Sequence, residues 1–251
     1  MLQLTEVGRR TPGTRLRRLV TVSLPTRSIV AIVGPNGSGK STIARMIAGL
    51  EPTESGQLSL VGGGPGAVSE LLPAEPPWDR AKRGIFLLPA DEPVFEDFTV
   101  EENLLAALAP FRLPPQTRRG ILDGIRRRIP LTDARAGTKA GVLSGGEKRI
   151  LGIARVVLLS EAAARARNGL SGPGYRLIVL DEPSRGLHEG AVASVANLLK
   201  HVAADGVAIL ILEQTQTLAD LVADTIIHLA DGEPDHAHST ATDDRKARGI
   251  A

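Results

Sequence analysis

Short apolar runs alternate along the chain with stretches of helical spacing. Residues 28–33 (SIVAIV) read as a buried strand that runs straight into a glycine-rich loop. The next stretch, STIARMIAGL, has apolar residues at helical spacing and a natural stop at Gly49. Residues 56–62 (GQLSLVG) alternate as a half-exposed strand does. From Gly62 to Pro77 Gly, Pro and Ala dominate, which predicts a loop or mobile crossing. GIFLLPA, residues 84–90, predicts another buried strand. Thr99 with Glu102 three residues on is a capping box, and a helix is expected to follow. Residues 118–128 read as helix up to Pro130, and a long helix is predicted from Gly145 toward Arg167, broken by NGLSGPG. YRLIVLDEP, residues 175–183, is a buried strand ending in two acids. A helix over 189–203, the strand VAILIL, a short helix and a last strand TIIHLA complete the pattern.

Strands alternating with helices predict an α/β fold with a largely parallel sheet. Ligands in such sheets bind beyond the C-terminal strand ends, where Gly34 and Asp181 both fall. Residues 1–231 are expected to form one domain. Residues 71–155 within it are richer in helix and are expected to form an inserted helical subdomain. Residues 232–251 are polar and aperiodic, and disorder is expected there, with no metal held by His236 and His238.

Composition narrows the function. The 251 residues are 42% hydrophobic, as in a soluble globular protein. Aromatics make up only 2%, so stacking of a base needs a residue-by-residue check. Net charge is +2 and the basic clusters, residues 15–18 and 126–128, are short, which argues against nucleic acid as a partner. There is no cysteine, so no disulfide and no thiolate chemistry. MLQLTEVGRR lacks the apolar segment of a signal peptide, and VAILIL is too short to span a bilayer. A soluble, cytoplasmic protein is expected, with any membrane role exercised through a partner.

The chemistry lies in three motifs. Gly34-Pro35-Asn36-Gly37-Ser38-Gly39-Lys40-Ser41-Thr42 matches the phosphate-binding loop of P-loop NTPases. Its glycines let backbone N–H groups turn around phosphate oxygens, and the following helix aims its positive end at the same anion. Lys40 is expected to reach the β- and γ-phosphates and Ser41 to ligate Mg²⁺. Asp181 is the second expected Mg²⁺ ligand, and Glu182 is placed to polarise a water for attack on the γ-phosphate. The third motif is LSGGEKR, residues 143–149. Ser144 with the N–H groups of Gly145 and Gly146, followed by Glu147, makes a second helix-start anion site. One chain does not easily close both sites on one phosphate, whereas two chains packed head to tail do.

In this order, GPNGSGKST, LSGGE and LIVLDEP resemble the ATP-binding cassette (ABC) ATPases that serve ABC transporters. RGIFLLPADEPVFEDFTVEENL, DEPSRGL and ILEQT are similar to the subunits of branched-chain amino-acid and urea or amide uptake systems. The resemblance implies an ABC-type fold with an N-terminal antiparallel β portion. It implies ATP and Mg²⁺ binding, ATP-driven dimerisation as a homodimer or heterodimer, and a membrane permease docked near residues 90–98 on the inner face of the membrane. A soluble ABC ATPase without a permease and a nucleotide-dependent binding module with little turnover are the alternatives.

Four positions depart from the family pattern. The adenine-stacking aromatic is missing from GRRTPG, where Arg9 or Arg10 offers a guanidinium plane instead. The Gln that contacts Mg²⁺ and water falls on Ala90, with Asp91 or Glu92 as substitutes. The Asp after the acidic pair falls on His188. The switch His falls on Gln214, which can donate a hydrogen bond but carry no proton. Lys40, Ser41, Asp181, Glu182 and Ser144 are intact, so ATP binding and slow hydrolysis are expected. The segment between Ser144 and Asp181 is longer than in the family and is expected to extend a helix.

Overall fold

A computed structural model of the protein describes residues 1–9, 17–53, 55–61, 69–72, 74–91, 94–166 and 176–229. Five strands, β3 (Ile29–Val33), β6 (Ile85–Leu88), β7 (Leu177–Asp181), β8 (Ala208–Glu213) and β9 (Thr225–His228), form the central sheet in the order β6-β7-β8-β3-β9. Every neighbouring pair in it is parallel. A second, antiparallel sheet has the order β2-β1-β4-β5, from β1 (Leu2–Arg9), β2 (Arg17–Leu24), β4 (Ser55–Val61) and β5 (Ser69–Leu71).

Strands β3, β6, β7 and β8 are nearly unbroken apolar runs because both faces of the sheet are covered there, whereas the edge strand β9 ends in exposed His228. Ile29, Ala31, Val33, Ile178, Leu180, Ile209 and Ile211 face one apolar core. Val30, Ile32, Leu177, Val179, Leu210 and Leu212 face the other. Into the first core pack α3 (Val100–Leu108), α4 (Pro115–Arg128), α6 (Gly145–Arg165), α7 (Glu189–Ala204) and α8 (Thr217–Val222). The second core is closed by α1 (Lys40–Ile47) and the antiparallel sheet, through Ile43, Met46, Leu4, Val22 and Leu60 among others. Two short helices, α2 (Pro77–Lys82) and α5 (Leu131–Ala134), and a 3-10 turn at Ala140–Val142 complete the set among the described residues.

Local signals explain several boundaries. Thr99 and Glu102 do form the capping box that opens α3. Gly49 has φ +76, and a Cβ there would come within 2.6 Å of the Glu75 carbonyl, so the chain leaves α1 where only glycine fits. α4 begins at Pro115, earlier than Arg118, because proline suits the first turn of a helix. The loop expected over residues 62–77 needs correction: β5 lies in its second half and pairs with β4, too short to leave a sequence period. Residues 62–68, the NGLSGPG break, the expected tail with His236 and His238, Arg10 and Glu92 lie outside the described residues. No helix among the described residues is long and apolar enough to cross a membrane.

Candidate functional site

Register decides what meets at the C-terminal edge of the sheet. Val33 pairs with Glu213 and Asp181 with Leu212, so β8 stands between the glycine loop and the acidic strand end. Neighbouring strands are about 4.8 Å apart, which leaves the two motifs roughly 10 Å apart across β8. The loop is tied to β8 by Gly34, whose N–H donates to the Glu213 carbonyl at 3.0 Å. Gly37 and Gly39 adopt φ +79 and +95, the left-handed region that glycine enters without strain. A Cβ on Gly34 would sit 2.7 Å from the Leu229 carbonyl, so the residue that follows β9 presses on the loop from the far side.

The loop delivers Lys40 inward. Its Nζ donates to the carbonyls of Gly34 at 2.7 Å and Pro35 at 2.8 Å, and lies 3.5 Å from the Ser38 hydroxyl. The side chain is buried. Burial lowers the Lys40 pKa, while Glu182, Asp181 and Glu213 oppose the shift. No side chain caps the N-terminus of α1, so the donors of Ser41 and Thr42 in its first turn are served by no acid of the helix itself.

Asp181 is buried at the end of β7, and burial raises its pKa against the pull of the Ser41 hydroxyl. Its Oδ1 is buried with no hydrogen-bond partner. A buried carboxylate oxygen without a donor is costly unless a cation or another donor serves it. That orphan, opposite the Ser41 hydroxyl, fits a small hard cation bound by one carboxylate, with the remaining ligands from phosphate and water. Among the described residues no group of three His, Cys, Asp or Glu gathers, so no all-protein metal cage is built here. Glu182, next in sequence, turns off the strand with φ +50, its N–H held by the Leu212 carbonyl at 2.8 Å.

Two buried charges at this edge were not legible as site residues. Glu213 accepts from the Ser184 N–H at 2.8 Å, and burial raises its pKa. Arg149 is also buried, donating to the carbonyls of Pro89 at 2.9 Å and of Ala90. Glu213 has a signal in hindsight: it ends an apolar strand, as Asp181 does. Arg149 has none, because its partners lie some sixty residues away in sequence and an arginine in a helix defaults to the surface.

The other expected residues fall as follows. Ser144 N-caps α6, accepting from the Glu147 N–H at 3.2 Å, while the Glu147 carboxylate accepts from the Ser144 N–H at 2.9 Å. These bonds hold the Glu147 pKa below the ordinary glutamate range. Gly145 has open space where a Cβ would be, and Gly146 lies against the Gly186 carbonyl. The charges that act on Lys40 are Asp181, Glu182 and Glu213, whereas the charge that acts on Glu147 is Arg135. Gln214 follows β8 and is exposed. His188 caps α7, its Nδ1 3.3 Å from the Ala191 N–H. Asp91 turns toward Arg185, 3.7 Å away. Arg9 closes β1, opposite Arg17.

Comparison with known proteins agrees with this geometry. The sequence model of the ABC transporter family matches residues 18–163. A probable branched-chain amino acid transport ATP-binding protein, LivF, from Archaeoglobus fulgidus is 37% identical over 165 residues, covering 66% of this chain and 60% of that protein. A probable ABC transporter ATP-binding protein from Azorhizobium caulinodans is 30% identical over 229 residues, covering 89% of this chain and 74% of its own length. The fold matches that of a dimeric bacterial ABC transporter cassette with a TM-score of 0.73 over 95% of this chain and 98% of that one, at 21% identity. With the phosphate loop, the paired acids and the Ser-Gly-Gly helix start in place on that fold, the chain belongs to the ABC transporter family, among its ATP-binding members.

Proposed function

We propose that the protein is the ATP-binding and ATP-hydrolysing subunit of an ABC transporter. The observation that carries this is the orphaned Asp181 Oδ1, buried opposite Ser41 and beside Lys40. Residues 34–42 would cradle the phosphates, with the first-turn donors of α1 and the Lys40 ammonium taking the terminal oxygens. Ser41 and Asp181 would hold Mg²⁺, which neutralises charge on the phosphate oxygens when bound. Glu182, on its strained turn, would accept a proton from the attacking water. Gln214, at the exit of β8, would donate to the γ-phosphate side. Turnover is expected to be slow, since Ala90 offers no polar side chain and Gln214 carries no proton.

A head-to-tail dimer would place Ser144, Gly145 and Gly146 of one protomer on the nucleotide of the other. The complete capping box at Ser144, which leaves only part of that helix start for an anion, supports a site that completes another protomer's rather than one that binds alone. Residues 1–231 are read as one ATPase unit with a helical subdomain at residues 71–155, the stretch that holds α3, α4, α5 and the start of α6. Phe95 and Phe98, ring centroids 5.4 Å apart and both partly exposed, would belong to the permease contact. Their loop is firm, because buried Asn103 donates to the Phe95 carbonyl at 2.9 Å and accepts from the Phe95 N–H at 2.8 Å. The named relatives support a transport role, and the Archaeoglobus protein points to branched-chain amino acids as the cargo class.

Phosphate release by the purified chain, beside Glu182→Gln and Lys40→Ala, tests the enzymatic reading. Turnover in the wild type that both variants lose supports it, and three equally silent proteins, with and without a permease, overturn it. Co-purification with a multi-span membrane protein separates the transporter subunit from a soluble ABC ATPase. ATP-induced dimerisation without phosphate release would instead favour the binding module.

A further inference from the structure

Two arginines to which the sequence assigned no role converge on residues 89–91, the loop leaving β6. Arg149, from the second turn of α6, takes the carbonyls of Pro89 and Ala90. This grip uses main-chain atoms, so it is indifferent to the side chain at position 90. Arg185 comes from the turn after β7. That turn is closed by the Arg185 N–H donating to the Glu182 carbonyl at 3.2 Å and the Leu187 N–H donating to the Ser184 carbonyl at 3.0 Å. Its base is fixed by the Ser184 N–H on the Glu213 carboxylate. The closure folds Arg185 back, so that its Nη1 lies 3.5 Å from Glu182 Oε2 and 3.7 Å from Asp91 Oδ1. Ala90, Asp91, Arg149 and Arg185 line, with Lys148 and Gly186, a cleft of about 610 Å³.

We propose that Arg185 is a positioning residue for Glu182, which it holds by a guanidinium shared with Asp91, while Arg149 fixes the main chain of the same loop. The pair of arginines does what the methyl group of Ala90 cannot: it ties the loop after β6 to the carboxylate that faces the reaction. One guanidinium nitrogen, Nη1, faces both carboxylates, so a single charge that is never lost near neutral pH serves the two of them. The inference rests on the hydrolytic reading above. A solvated ion pair with no consequence is the rival explanation. Side-chain exposures of 62% for Arg185 and 88% for Asp91 mean that the pair adds little to folding, so variants at both positions remain foldable.

The test is steady-state ATP hydrolysis by Arg185→Ala, Arg185→Lys, Asp91→Asn and the double variant Arg185→Ala with Asp91→Asn. Removal of the arginine is expected to lower kcat about tenfold with KM for ATP unchanged, the mark of a residue acting on the chemical step. Arg185→Lys is expected to recover part of the loss. The double variant is expected to be no slower than Arg185→Ala alone, because both substitutions break one coupled unit. Thermal midpoints should stay at the wild-type value. Wild-type kcat in Arg185→Ala, a loss confined to KM, or additive effects in the double variant would overturn the proposal. If wild-type protein and Lys40→Ala are equally silent, the hydrolytic reading falls and this inference with it. If the wild type turns over and Arg185→Ala matches it, only the role of Arg185 falls.

Discussion

The N-termini of α1 and α6 are both entered through Ser- and Gly-rich turns, yet they differ in electrostatic state. α1 starts after Gly39, held at φ 95, with no side-chain cap and no acid in its first turn. α6 starts after Ser144 with a complete capping box, so a carboxylate already lies on its positive end. The residue at the third helical position makes the difference: Thr42 in one helix, Glu147 in the other. An uncapped helix start is held in reserve for an external anion, whereas a capped one is stable by itself and offers only what the cap leaves over. In α6 that remainder is the N–H groups of Gly145 and Gly146, since the Ser144 hydroxyl already donates to the Glu147 carboxylate. The first site is thus suited to grip a phosphate unaided, and the second to touch one that another surface presents.

Exchanging the third position breaks this comparison most severely. Thr42→Glu would bring a carboxylate into the loop, and like charges about 4 Å apart repel by several kcal/mol at the dielectric of a protein surface. ATP affinity, read by titration calorimetry, is expected to fall at least about a hundredfold. Glycine substitution separates the two turns next. Gly34→Ala places a Cβ 2.7 Å from the Leu229 carbonyl and should cost about 1–3 kcal/mol in urea unfolding. Gly145→Ala meets nothing within 4 Å and should stay within about 0.5 kcal/mol, while weakening ATP-induced dimerisation. Intact dimerisation in Gly145→Ala would argue that α6 has no part in nucleotide contact. Ser144→Ala removes the cap and should destabilise by about 1 kcal/mol in the same unfolding assay.

The smallest effect is one of pH. The folded pKa of Glu147 lies below the ordinary glutamate value, because Ser144 N–H and hydroxyl donate to its carboxylate. The unfolded state therefore binds the proton first, and the stabilisation present above the unfolded pKa is lost as pH falls through the folded one. Glu147→Gln keeps a cap of similar shape without the charge. Its stability, followed by thermal melts from neutral to acid pH, should lack that increment of decline.

Where a local rule is strong, the fold can be read in the sequence. Four of the five central strands, β3, β6, β7 and β8, were legible because burial on both faces makes them nearly continuous apolar runs between turns, and β9 was legible by the Ile226–Ile227 pair. The phosphate loop was legible because its backbone demands glycine at Gly37 and Gly39. β5 escaped notice, since three residues establish no period. Arg149 and Glu213 were missed for a different reason. A buried charge is stable only through tertiary partners, here the carbonyls of Pro89 and Ala90 and the Ser184 N–H; the strand end hints at Glu213, but the partners of neither residue are written in the adjacent sequence. The role of Ala90 shifted for the same reason: the position lost its side chain, but its carbonyl is still held.

α6 also has mechanical consequences. It is one uninterrupted helix of 21 residues, which makes it a rod about 30 Å long. Its middle is clamped among Leu151, Ile153, Val157 and Leu158, all buried, so rigid motion can only be a pivot about that clamp. Swinging the rod by about 5° would carry its Gly145 tip through roughly 1.3 Å and stretch the Arg149 grip on Pro89 by somewhat less. From a starting length of 2.9 Å that stretch passes the limit of a hydrogen bond. The loop after β6 must then either travel with the rod or let go of it, so a push on that loop from outside becomes a displacement of the tip.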